Sequence, residues 1–142
     1  MTDVFISYSR KDKDFVRRLY EALEAQGYDA WVDWDDIDYA EDWWKKICAG
    51  IEAADNFVFV ISPDSVQSKV CYDEVDHATE TVKRVVPLLY RNITEAEDHT
   101  RMHPSISRHN WLPFSEADGT YQRWSGDVSV PGKGEIFVWQ PA

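Results

Sequence analysis

An α/β domain, with a parallel sheet wrapped by helices on both faces, is the fold class that the sequence predicts. Three observations predict it. Short β-branched and aromatic runs alternate with segments of helical periodicity, so that three strand-helix-strand crossovers follow one another. The run Asn56–Ile61 is apolar on both faces, as the centre of a parallel sheet requires. The length, 142 residues, suits one compact domain that buries a core without disulfide staples.

The elements follow in order. Val4-Phe5-Ile6-Ser7-Tyr8 has the short, β-branched and aromatic character of a buried strand. After the polar stretch Ser9-Arg10-Lys11-Asp12, residues Phe15, Val16, Leu19, Ala22 and Leu23 recur at helical spacing, and Gly27 stands where a C-cap glycine belongs. The second strand is expected over Asp29–Asp33, with Ala30 and Val32 on one face and Trp31 on the other. The acidic loop Trp34-Asp35-Asp36-Ile37-Asp38 leads to a helix from about Glu41 to Ala54. Its apolar face is Trp44, Ile47, Cys48 and Ile51, and its first turn carries Glu41 and Asp42, which suit the helix dipole. Asn56–Ile61 is the third strand. Ser62-Pro63-Asp64-Ser65 then turns the chain, and a third helix is expected over about Val66–Val82, before a fourth strand at Arg84–Tyr90. Asn92–Arg101 is polar and acidic, and His103-Pro104-Ser105-Ile106 can start a short helix. Asn110–Phe114 is expected as a fifth strand, placed at an edge by Pro113. From Ser115 onward come four of the six glycines and two of the six prolines, with one apolar cluster, Ile136–Trp139. The expectation is a domain over 1–114 followed by an irregular tail or linker over 115–142.

Charge narrows the function. Fifteen Lys+Arg against 26 Asp+Glu give a net charge of −11. That balance argues against general nucleic-acid binding, which needs a basic face to displace counterions, and against adsorption to anionic membranes. Cys48 and Cys71 are the two cysteines, too few for a disulfide framework, so a reduced cytoplasmic setting is expected. No apolar run approaches the ~18 residues of a membrane span, and no signal peptide is recognisable at the start.

In an open parallel sheet, ligands bind beyond the carboxyl ends of the strands. That rule selects Ser7–Lys11, Asp33–Ala40 and Ser62–Ser65. The helix after the third strand starts at the same edge and carries Cys71 and Glu74 one turn apart on one face. Glu74 is therefore the carboxylate best placed to reach the cleft from a rigid element.

These residues, in this order, resemble the TIR (Toll/interleukin-1 receptor) domains, the bacterial type most closely. Val4-Phe5-Ile6-Ser7-Tyr8-Ser9 is similar to the family's opening strand. Trp31-Val32-Asp33 with Asp35-Asp36-Ile37 resembles its second strand and the "BB" loop. Gly50-Ile51-Glu52-Ala53-Ala54-Asp55 with Phe57–Pro63 resembles its second helix and third strand, and Ser68, Cys71 and Glu74 resemble the surroundings of the glutamate of TIR enzymes. Val86-Pro87 and His109-Asn110-Trp111 match later landmarks. The resemblance covers about residues 3–114 and implies a flavodoxin-like fold with a five-stranded parallel sheet. It implies either cleavage of NAD+ with release of nicotinamide, in signalling, cell-death or anti-phage defence, or a non-catalytic homotypic adaptor.

By position, the resemblance makes Glu74 the catalytic glutamate and Cys71 a site-lining residue. Tyr8, Ser9 and Arg10 form the loop that contacts the dinucleotide, and Ser62 lines the pocket. Asp33, Trp34 and Trp43 lie where the BB loop and the next helix meet substrate. NAD+ enters as substrate rather than as cofactor, no metal is implied, and the expected partners are NAD+ and other TIR domains. Three departures stand out. Val70 occupies a position that is often aromatic, the loop tip Asp38-Tyr39-Ala40 lacks Pro and Gly, and residues 115–142 show no closing amphipathic helix.

Other chemistries fit less well. Asp33, Asp35, Asp36 and Asp38 lack the glycine and distal glutamate of a calcium loop. His99, His103 and His109 have no convincing cysteine or carboxylate constellation for zinc. Cys71 has only His77 near it in sequence, two turns along the same helix, so it makes a poor nucleophile. Phosphoacceptor receiver domains need an acidic pair after the first strand, where Ser7–Ser9 stand here, and an aspartate ending the third, where Ser62 stands. If 115–142 is dispensable, a chain ending at residue 114 keeps its cooperative thermal transition, and loss of that transition assigns the tail to the core.

Overall fold

The computed structural model describes residues 2–33, 41–91, 93, 95–107 and 112–113. Its elements are β1 (Thr2–Ser7), α1 (Lys13–Ala25), β2 (Ala30–Trp31), α2 (Glu41–Ala53), β3 (Ala54–Ile61), α3 (Pro63–Gln67), α4 (Lys69–Glu80), β4 (Arg84–Leu89), α5 (Ala96–Arg101), α6 (Pro104–Ser107) and β5 (Leu112–Pro113). All pairings are parallel, in the order β2-β1-β3-β4-β5. This is the five-stranded parallel α/β sheet expected from the sequence, with β5 at an edge.

The period of two along each strand divides the core. Val4 and Ile6 of β1 and Val58 and Val60 of β3 face Phe15, Val16, Leu19 and Leu23 of α1. Phe5, Phe57, Phe59 and Ile61 face the other way, against Ile47 and Ile51 of α2, Cys71, Val75 and Ala78 of α4, and Met102 and Ile106. In-register pairing stacks three rings on that second face. Phe5 lies 4.8 Å from Trp31 and 5.5 Å from Phe57, each nearly parallel. Such pairs contribute about 0.5–1.5 kcal/mol beyond their burial. Helix α2 crosses this ladder at Gly50, where a Cβ would come within 3.1 Å of the Trp31 ring.

Several boundaries differ from expectation. β2 is shorter than 29–33 because side chains take its backbone carbonyl at the far end. The Asp33 carbonyl accepts from Tyr8 and Arg10 instead of a neighbouring strand. Ala54 opens β3 rather than closing α2, since it pairs with Thr2. The helix expected over 66–82 is two helices. Ser62 caps α3 in a reciprocal capping box with Ser65, Pro63 follows at the first turn, and Ser68, in extended conformation, ends α3 and caps α4. The polar stretch 92–101 contains α5, whose first turn holds Glu97 and Asp98 where the helix dipole favours acids. The tail expected over 115–142 lies outside the described residues. Among the described residues, no helix is long and apolar enough to cross a membrane.

Helices α1 and α4 end in the same motif with different residues. After α1, Tyr28 N–H donates to the Leu23 carbonyl and Gly27 N–H to that of Glu24. After α4, Lys83 N–H donates to Ala78 and Val82 N–H to Thr79. The residue that must turn left-handed is Gly27 (φ +85°) in the first and Val82 (φ 58°, 88% exposed) in the second. A β-branched residue there costs roughly 1–2 kcal/mol and packs against nothing that repays it. Val82→Gly is therefore expected to raise stability by about 1 kcal/mol and Gly27→Ala to lower it by a similar amount, as thermal melts of the two variants would show.

Candidate functional site

Growth of the sheet reverses between β1 and β3, so the carboxyl end of β1 is the topological switch point where a ligand crevice belongs. β1 ends in Ser7, and Tyr8 and Ser9 follow. Ser9 caps a short 3-10 turn, Arg10–Asp12, by accepting from Lys11 N–H. The cap turns Arg10 back across the strand end, its guanidinium 5.3 Å from the Tyr8 ring centre.

Asp33 is the hub of this end of the sheet. Its carbonyl accepts from Tyr8 Oη (2.6 Å) and Arg10 Nη1 (2.6 Å). Its carboxylate Oδ2 accepts from Arg10 Nη2 (2.7 Å) and from Trp43 Nε1 (3.2 Å). The loop after β1, the end of β2 and the first turn of α2 are thereby joined through one residue. Burial raises the Tyr8 hydroxyl above its ordinary pKa, against the opposing pull of Arg10.

Helix α4 brings the second half. Ser68 accepts from Cys71 N–H (3.2 Å), and the face of the helix turned to the sheet carries Cys71, Glu74, Val75 and Ala78. Glu74 is only 6% exposed, and Ser7 Oγ donates to its Oε1 at 3.1 Å. The lysines near it in sequence are engaged elsewhere: Lys69 with Asp73 (3.0 Å) and Lys83 with the Glu52 carbonyl (2.8 Å). Burial pushes the Glu74 carboxyl up to about 8; the Ser7 hydrogen bond and the Arg10 charge pull it down, while Asp33 and Asp73 add to the rise. Burial likewise pushes the Cys71 thiol up to about 12, which leaves it inert as a nucleophile at neutral pH.

Of the residues singled out by sequence, Tyr8, Arg10, Asp33 and Trp43 are joined by hydrogen bonds. Glu74 and Cys71 share a face of α4 turned to the end of β1, where the Arg10 charge acts on both. The Ser9 hydroxyl is committed to its cap. Ser62 stands apart. It is fully buried, caps α3, and donates to Asp12 Oδ2 (2.5 Å). Asp12 also accepts from Arg91 Nε (3.0 Å), and Arg91 and Lys11 both meet Asp64, so this network fastens the loops after β1, β3 and β4 together. Trp34 lies outside the described residues, as do Asp35, Asp36, Asp38 and His109.

Among the described residues, no three His, Cys, Asp or Glu side chains converge as a metal site requires. His103 is structural: Nε2 faces Asp76 at 3.1 Å and Nδ1 accepts from Ser105 N–H. Sequence reasoning placed Ser7 at the first edge loop, Ser7–Lys11, but missed its contact with Glu74, although strand alternation carried the signal. Ser7 shares its face with Phe5, the face that α4 covers.

Known proteins bear directly on this arrangement. A family model described as TIR domain matches residues 4–125, most of the chain and eleven residues beyond the expected boundary at 114. The 2′ cyclic ADP-D-ribose synthase BtTIR of Bacteroides thetaiotaomicron is 38% identical over 66 residues, 46% of this chain and 23% of that protein. The match thus spans about a quarter of that relative's length. The TIR domain of the Toll-related receptor TRR-2 from Hydra magnipapillata superposes with a TM-score of 0.70 at 20% identity, covering 89% of this chain and 94% of that one. The TIR domains of the activated Roq1 resistosome give 0.66 at 16% identity, with coverage of 89% and 94%. The Clostridium botulinum CMP N-glycosidase BcmB gives 0.57 at 19%, with coverage of 86% and 97%. At these identities the structural likeness is one of fold.

A carboxyl titrating near 8 when folded and near 4.5 when unfolded binds more protons in the native state between those pH values. Stability from this group is present in full below about pH 4.5 and is lost as pH rises towards 8. Wild type should therefore lose stability from pH 5 to pH 8 relative to Glu74→Gln, by something on the order of a few kcal/mol. Asp64, held low chiefly by its hydrogen bond from Arg91, loses its contribution only at more acidic pH and is common to both proteins. Denaturant melts at the two pH values check the difference, and parallel pH dependences would contradict it.

Proposed function

Since the chain belongs to the TIR domain family, we propose that it cleaves the nicotinamide–ribose bond of NAD+, giving nicotinamide and ADP-ribose or a cyclic isomer of it. The observation that carries this reading is Glu74, a buried carboxyl on a rigid helix at the switch point of the sheet, without a cation bonded to it among the described residues.

Such a group suits this bond. When C1′–N breaks, the electron pair goes to nicotinamide, which leaves neutral, and the ribosyl carbon takes up the positive charge. A carboxylate fixed in an apolar wall stabilises that charge more than it would in water. No acid is needed for the leaving group. Water, or an oxygen of the same molecule, then attacks C1′ and gives up a proton. Burial favours the protonated form of Glu74, and the cationic nicotinamide ring of a bound NAD+ favours its ionised form.

Asp33, itself bonded by Tyr8 and Trp43, holds Arg10 at the crevice through its carbonyl and carboxylate, and a guanidinium there suits the diphosphate of NAD+ by charge. NAD+ is consumed as substrate, and no separate cofactor enters the scheme. The name of the Bacteroides relative, a cyclic ADP-ribose synthase, supports the reaction class. The named activity of the Clostridium protein, an N-glycosidase acting on CMP, lies on the same fold. Assembly with further TIR domains, in signalling or antiviral defence inside the cell, belongs to the same proposal. The resistosome's TIR domains support it by likeness of fold.

Val70, half-buried on α4 where an aromatic residue would stack on a nicotinamide ring, favours a second reading, a non-catalytic homotypic adaptor. Nicotinamide release from NAD+ by the purified protein separates the two. Wild type is expected to turn over, with kcat/KM rising as pH approaches 8, and Glu74→Ala to lose about 10²–10³-fold. A rate rising faster than linearly with protein concentration would support activation by assembly. Partner binding that survives Glu74→Ala, with no turnover in wild type at any concentration, would establish the adaptor.

A further inference from the structure

We propose that Ser7 is a positioning residue for Glu74: its hydroxyl, fixed at the end of β1, holds one carboxyl oxygen so that the other is presented to the crevice. This deepens the reading of Glu74 as the group that meets the ribosyl charge, and rests on it.

Three features of geometry support the assignment. Ser7 is 1% exposed and its neighbours in β1 are Val4, Phe5 and Ile6, so its hydroxyl is a polar group placed in an apolar layer. A buried hydroxyl is costly unless bonded, and it donates to Glu74 Oε1, 67 residues away in sequence, with the Cys71 thiol also beside it. The donor cannot drift, because β1 is paired with β3 at Ser7↔Phe59 and a serine side chain has a single rotatable heavy-atom bond. The bond is also one-sided. Ser7 engages Oε1, and no described residue hydrogen-bonds Oε2.

The consequence is electrostatic as well as steric. A hydroxyl can donate to a carboxylate, so the bond favours the ionised form. The other charged and titratable groups acting on this carboxyl are Arg10 and Tyr8 from the loop after β1, Asp33 from the end of β2, Cys48 from α2, and Cys71 and Asp73 from α4 itself. Arg10 alone among them brings a positive charge, and Asp33 holds that charge at 2.7 Å. Ser7 is thus the one neutral donor bonded to the carboxyl among the described residues.

The test reads Glu74 directly. Carbon-13 NMR of glutamate-labelled protein follows the side-chain carboxyl through pH, with Glu74→Gln assigning the resonance. Ser7→Ala is expected to raise the Glu74 midpoint by roughly one pH unit, and Ser7→Thr, which keeps the donor, to restore it. If Ser7→Ala does not fold, Ser7→Cys, nearly isosteric and a weaker donor, should give a smaller shift of the same sign. An unchanged midpoint in a folded donor-lacking variant overturns the proposal. None of this requires turnover, so a protein that leaves NAD+ intact still decides the role of Ser7. Where NAD+ is cleaved, the rising limb of the kcat/KM profile should move alkaline by the same interval in Ser7→Ala. A uniform loss of rate with no shift would mark a purely structural contribution and would also overturn it.

Discussion

Strand β1 is hydrogen-bonded on both sides, and the period of two along it decides where each polar group at the sheet's carboxyl edge can stand. Even-numbered Val4 and Ile6 are spent on the α1 face. Phe5 and then Ser7 point to the face that α2 and α4 cover, so the first side chain beyond the aromatic ladder is a hydroxyl. A slip of one residue would turn Ser7 towards α1 and bring Tyr8 to Glu74. The stacked rings of Trp31, Phe5 and Phe57 oppose that slip, since they match only in this register.

The chain is strongly acidic, and it handles three buried or half-buried carboxyl groups at this edge in three ways. Asp12 is paired and hydrogen-bonded, to Arg91 and Ser62. Asp33 is paired with Arg10 and takes an indole N–H as well. Glu74 receives a hydroxyl, and burial answers by pushing its proton affinity up. The first two arrangements fix loops. The third leaves a group whose charge depends on what arrives beside it, which is the property a site for a cationic ligand needs.

Much of the fold was legible because its signals are local. Asn56–Ile61 could be placed as a central strand from its two apolar faces, and Gly27 as a C-cap from its position after the last periodic residue. Glu74 was legible through the rule that ligands gather at strand carboxyl ends, reinforced by the family resemblance. The break at Ser68 was not, because Val66 and Val70, four residues apart, keep helical spacing across it and the interruption rests on serine side chains competing for backbone N–H groups. The network at Ser62 was hidden for another reason. Its partner Asp12 is 50 residues away and Arg91 follows β4, and only the tertiary fold brings them together. Asp33 could be named as a site residue, but its service as an acceptor for three side chains is a property of geometry.

The fastening through Asp12 and Arg91 sets how the crevice can respond to an occupant. The loops following β1, β3 and β4 are cross-tied through a carboxylate that is nearly solvent-free, so that rim behaves as one rigid wall, its ordering entropy already spent in folding. The same loop after β1 is tied to the end of β2 through Arg10 and Asp33, and the Arg10 side chain is a third exposed. The Arg91 side chain of the first tie is exposed to a similar degree, so water and salt reach the cation of both while each carboxylate stays largely covered. The loop after β1 is thus the common member of both ties, so a guest that displaces it strains two ion pairs at once, and its accommodation carries a sensitivity to ionic strength from each.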